Sequence, residues 1–115
     1  MIIVLTIALV GCFSMLGLAK VAGAAGMLAR AAHVGLTGAS YKRIGALELL
    51  AAVGLSLGLV EPRIGLAAAV GLVLLLAGAC VTHLRNGDGP REIAPAVVMT
   101  AVLVSYLVLV TAAMG

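Results

Sequence analysis

The chain has 115 residues, of which 64% are hydrophobic and 10% charged, with a formal net charge of +3 and a mean hydropathy of +1.33. Soluble domains carry about 25% charge, so this balance excludes an ordinary soluble domain, and four long apolar runs leave no length for one alongside them. The basic residues lie in loops and at the ends of those runs, which points to membrane topology rather than to a nucleic-acid partner.

The first apolar run, Ile2 to Val21, reads as a spanning helix. It lacks the basic n-region of a signal peptide and is long for an h-region. Gly11, Cys12, Ser14, Gly17 and Ala19 give it small-residue faces suited to close helix packing. Cys12, like Cys80 later in the chain, reads as a buried small hydrophobe, with no CxxC to suggest redox chemistry. Lys20 closes the run.

From Gly23 to Arg43 the pattern changes. Ala24, Met27, Leu28, Ala31, Val34 and Gly35 recur at helical spacing, with Arg30, His33 and Thr37 on the other side. This predicts a short interfacial amphipathic helix over about 24–36, acting either as a lid over the bundle mouth or as a plain anchor. Gly38-Ala39-Ser40 ends it.

The second apolar run, about 44–60, is the shortest. It carries Gly54 and Gly58 at GxxxG spacing, and Glu48 one turn inside its start. A charged group at the bilayer centre costs from about 2.5 to more than 10 kcal/mol, depending on the scale. Glu48 is therefore expected to be paired, neutralised or functional. Glu61-Pro62-Arg63 forms a short turn into the third run, about 64–84, whose Gly71 and Gly78 read as packing positions. Arg85-Asn-Gly-Asp-Gly-Pro90 is a turn cluster. The fourth run, about 93–114, carries Pro95 in its first turns, where proline is tolerated.

Each run is long enough to cross a hydrocarbon core of about 30 Å. The predicted architecture is an all-α membrane protein: a four-transmembrane-helix bundle with the interfacial helix between helices one and two. Arg30, Lys42 and Arg43 in the first loop, with Arg85 and Arg91 in the third, outnumber the single Arg63 on the opposite side. The positive-inside rule then places loops 22–43 and 85–92 in the cytoplasm and both termini outside, in a multi-pass plasma-membrane protein. The several glycine faces would also suit a homodimer.

Alternating helix direction predicts Lys20, Glu48 and His83 at nearly one depth, near the cytoplasmic end. A carboxylate there would pair with Lys20 or exchange protons with His83. Each residue also has a plainer reading: Lys20 snorkels, His83 bonds a helix-end carbonyl, and Glu48 makes a helix–helix bond. Thr82, Thr100, Tyr106 and Ser14 are candidate ligand-binding residues beside the trio. HExxH, phosphate-loop, nucleophile-elbow and CxxCH patterns are all absent. His33 and His83 are too few for a metal site. Without tryptophan, a quinone or other aromatic ligand would rely on Phe13, Tyr41, Tyr106 and aliphatic walls.

Gly17-Leu-Ala-Lys20, Arg43-Ile-Gly-Ala-Leu-Glu48-Leu, Val53-Gly-Leu-Ser-Leu-Gly58 and Gly78-Ala-Cys-Val-Thr-His83, then Arg85 and Gly87-Asp88, occur in an order that resembles the DoxX-like family of small bacterial membrane proteins. The resemblance spans most of the chain. It implies a four-helix membrane bundle with Lys20, Glu48 and His83 as signature positions. It also implies an association with membrane redox complexes or quinone-linked thiosulfate oxidation. Three functions are therefore expected in order: binding of a small lipophilic molecule, with a quinone as the cofactor candidate, or of a redox protein partner; a membrane enzyme using Glu48 and His83 as an acid–base pair in isomerisation, cyclisation or epoxide opening; and a small proton-coupled transporter.

Overall fold

A computed structural model of the protein describes residues 1–22 and 38–115. Among the described residues it is all helical, with four helices: α1 (Ile2–Val21), α2 (Gly38–Leu57), α3 (Pro62–Arg85) and α4 (Pro90–Met114). The predicted amphipathic helix over 24–36 lies outside the described residues. Three of the four helices contain segments long and apolar enough to cross a membrane: Ile2–Val21, Pro62–Arg85 and Ile93–Met114. Helix α2 is as long as α1, but any 18-residue stretch of it contains Lys42, Arg43 and Glu48.

Local chemistry sets the helix ends. Glu61 caps α3, its side chain accepting a hydrogen bond from the Arg63 N–H at 3.2 Å, and Pro62 fills the first turn, where its missing donor costs nothing. At the other end of α3, Gly87 takes φ +75°. Its N–H donates to the Leu84 carbonyl at 3.1 Å and the Asp88 N–H donates to that of His83 at 3.0 Å. This double closure needs a left-handed residue, which glycine supplies at no steric cost. Pro90 then starts α4, which continues through Pro95.

Consecutive helices run antiparallel, with α1 on α2, α2 on α3, α3 on α4, and a lighter α1–α4 contact. Glycines set the two closest crossings. Gly17 and Gly45 bring α1 and α2 together: a Cβ on Gly45 would lie 2.8 Å from the Gly17 carbonyl oxygen and 2.7 Å from Lys20 Cβ. Gly54 faces Ala68, and Gly58 faces Gly65, between α2 and α3. The GxxxG of α2 thus packs within the molecule. Gly71 and Gly78 do not, because a Cβ at either would meet nothing within 4 Å. Cys12 also departs from its predicted burial and is exposed.

The core is built from Leu9 and Phe13 of α1, Leu55 of α2, Ala69 and Leu72 of α3, and Leu103, Tyr106 and Val110 of α4. Tyr106 is buried, with its hydroxyl against the Gly58–Gly65 crossing. Large apolar side chains are exposed on every helix, including Ile7, Met15, Leu50, Val53, Leu74, Val98 and Val108. Soluble monomers rarely expose such continuous apolar surface, whereas a lipid-facing surface requires it.

The second helix starts at Gly38 rather than at residue 44 and ends at Leu57 rather than 60. The expectation took the apolar run for the helix. The polar residues Ser40, Lys42 and Arg43 continue it toward the N-terminus, since nothing in that stretch breaks a helix as proline would. Glu48 therefore lies ten residues into α2, about 15 Å along its axis at about 1.5 Å per residue, not one turn.

Candidate functional site

Lys20 and Glu48 meet between α1 and α2. The Lys20 ammonium donates to Glu48 Oε1 in a short ion pair. The geometry follows from helix direction. Side chains tilt toward the N-terminus of their own helix, and the two helices are antiparallel, so Lys20 leans along the bundle toward Glu48 and Glu48 leans back. The close approach at Gly17 and Gly45 makes the remaining gap short enough to bridge. Glu48 is 5% exposed, and the Lys20 side chain 15%.

The pair leaves one atom unused. Glu48 Oε2 is buried and makes no hydrogen bond among the described residues. Buried polar atoms are nearly always partnered, and an exception points to a cause such as a bound group or an unseen water. On the buried face of α2, Glu48 is flanked by Gly45 and Ala52, and Gly17 of α1 faces Gly45.

His83 does not join the pair. Its Nδ1 lies 2.6 Å from Asp88 Oδ2, a distance at which the ring N–H donates to the carboxylate. Asn86 Nδ2 donates to the other Asp88 oxygen at 3.2 Å. His83 therefore ties the end of α3 to the turn that follows. Register explains the separation. With Gly54 facing Ala68 and Gly58 facing Gly65, the level of Glu48 on α3 falls at Leu74 or Leu75. His83 lies eight or nine residues beyond, about 12–13 Å further along the helix at about 1.5 Å per residue. The expected single polar level is therefore two levels, and the early start of α2 is the reason.

The other candidates are spread along the bundle. The Tyr106 hydroxyl reaches Gly58 and Gly65, ten residues outward from Glu48 along α2, about 15 Å. Ser14 is half-buried on α1, and Thr82 is next to His83. The Thr82 hydroxyl donates to the Gly78 carbonyl at 2.8 Å, and Thr100 to that of Ala96 at 2.7 Å. Thr6, Ser56 and Ser105 make the same bond four residues back. Each hydroxyl proton is spent inside its own helix, so these groups offer lone pairs only. Among the described residues no group of three His, Cys, Asp or Glu is placed to hold a metal ion.

The partner of His83 was the residue that sequence reasoning missed. Asp88 read as a turn residue. The available signal was an aspartate five positions after the histidine, across a glycine turn that folds the two together.

Residues 4–105 match the model of the DoxX-like family. No curated protein and no solved structure matches the chain.

Proposed function

The chain belongs to the DoxX-like family, and we propose that it is a plasma-membrane protein that holds a small lipophilic molecule against the Lys20–Glu48 pair. The observation that carries this reading is Glu48 Oε2, a buried carboxylate oxygen without a hydrogen bond among the described residues. It is an acceptor waiting for a donor. The threonines of the candidate set offer acceptors as well, their protons being used within their helices. Such an interior selects a ligand that brings its own N–H or O–H. A reduced quinone, with two phenolic hydroxyls on an apolar ring, has that chemistry. Lys20 holds the carboxylate in place. A Glu48–His83 acid–base pair is less favoured, because His83 is engaged by Asp88 about two helical turns away.

Organic extracts of the purified protein, examined by mass spectrometry, are expected to hold one non-phospholipid lipophile near one per chain. Glu48→Gln keeps the volume but replaces one carboxylate oxygen by an NH₂ group. Its extract should hold that species at about a tenth of the wild-type amount, since leaving a buried hydrogen-bonding group unmatched costs about 1–3 kcal/mol. Wild-type protein without such a species, and with no thermal shift on adding a short-chain quinol, would sink the reading.

The basic residues Lys42, Arg43, Arg85 and Arg91 gather at one end of the bundle, and we place that end in the cytoplasm with both termini outside. Alkaline phosphatase fused after Gly115 should be active in intact cells, and green fluorescent protein at the same point dark. The reverse pattern would invert the topology.

A further inference from the structure

We infer that the outer face of the α2–α3 pair is a binding site for one anionic phospholipid, its acyl chain in an apolar groove and its phosphate between Arg43 and Arg85. The groove has a volume of about 660 Å³, and Leu47, Leu50, Gly54, Ala68, Gly71 and Leu75 are among the residues that line it. It lies on the surface, away from the Lys20–Glu48 pair, which faces α1.

The groove exists because α2 and α3 cross closely at Gly54 and Gly58, which face Ala68 and Gly65. Beyond the crossing the helix surfaces part, and Gly71 puts no side chain into the gap. An open apolar channel facing lipid is filled by a hydrocarbon chain. What marks this one as specific is the charge beyond its end, four residues past Leu47 on α2 and ten past Leu75 on α3. Arg43 precedes Leu47 by four residues and Leu50 by seven, and so lies on the groove face of α2. On α3 the same stripe runs through Gly71 and Gly78 to Arg85, in steps of seven. Gly78 is open, with nothing within 4 Å of a Cβ there.

Both arginines are exposed, and neither forms an ion pair among the described residues. By the α2–α3 register they are offset by about 8 Å along the bundle, at about 1.5 Å per residue. The described carboxylate at this end, Asp88, is engaged by His83 and Asn86. Guanidinium groups bind phosphate by paired N–H donors. Basic sites between membrane helices at the headgroup level are a recurring form of anionic-lipid recognition. The occupant must therefore carry a hydrocarbon chain and a negative phosphate together: a phosphatidylglycerol-like lipid rather than a zwitterionic one.

The test is native mass spectrometry of the protein released from nanodiscs with equal phosphatidylglycerol and phosphatidylcholine. Wild-type protein should retain one phosphatidylglycerol in preference to phosphatidylcholine. Arg43→Gln with Arg85→Gln should lower that preference roughly tenfold or more, from about 1 kcal/mol per basic residue at the headgroup. Gly71→Leu, placed in open space, should abolish retention of both lipids while leaving the melting temperature unchanged. Equal retention of the two lipids by wild type would overturn the proposal. So would a preference that survives the double arginine change. A wild-type dimer that Gly71→Leu converts to monomer would also overturn it, assigning the groove to a second copy of the chain.

Discussion

Lys20→Met is expected to destabilise the protein by about 3 kcal/mol, the usual scale for removing one partner of a buried ion pair. The loss comes mainly from the carboxylate left behind. Glu48 is 5% exposed, its second oxygen already lacks a hydrogen bond among the described residues, and removing the lysine would strand the first as well. Changing both partners together should behave differently. Lys20→Met with Glu48→Met removes both charges and fills the space with apolar volume, and such replacements are often neutral or stabilising. Unfolding in a graded mixture of mild detergent and dodecyl sulfate provides the measurement. The single variant should unfold at clearly lower dodecyl sulfate, and the double variant near the wild-type midpoint. If the single variant unfolds with wild type, the pair contributes nothing to stability. If the double variant is as weak as the single, the cost lies in packing rather than charge. The double variant also separates stability from binding: it should fold, yet lose any lipophile held by Glu48.

The second large effect is expected at Gly45. A Cβ there would lie 2.7 Å from Lys20 Cβ and 2.8 Å from the Gly17 carbonyl oxygen. Neither is the flexible tip of a side chain, so the helices themselves must part. Gly45→Val is expected to cost about 3 kcal/mol, the upper end for overpacking a tight contact, and it should also pull Lys20 away from Glu48. Membrane helices gain little from apolar burial against one another, so close backbone approach carries much of their association. Gly71→Ala and Gly78→Ala are the controls. Both enter open space and should be neutral or slightly stabilising, since alanine is favoured over glycine in a helix by about 1 kcal/mol. Equal unfolding midpoints for Gly45→Val and Gly71→Ala would refute the crossing.

The helical membrane architecture was legible because uncharged apolar runs of bilayer length seldom occur outside membrane helices. Three of the four runs correspond closely to helices able to span. Glu48 and Lys20 were legible as a pair, because a carboxylate in an apolar run needs a cation and antiparallel neighbours bring one near. Depth was not legible. It depended on where α2 begins, and hydrophobicity marks where a helix meets lipid rather than where its hydrogen-bonding starts. The six residues from Gly38 to Arg43 carried that error from Glu48 to His83. Glycine faces were half legible for a similar reason. Gly54 and Gly71 look alike in sequence, but one meets Ala68 and the other meets nothing within 4 Å.

The ion pair between α1 and α2 also bears on how the chain is threaded into a bilayer. Helix α2 is not among the three helices apolar enough to cross unaided. A translocon that samples segments singly would meet Glu48 as an uncompensated charge, at a cost of about 2.5–3.5 kcal/mol on insertion scales. The counter-charge is carried by the segment made just before it. Beside α1, with Lys20 answering Glu48, α2 would enter a bilayer at lower cost than alone.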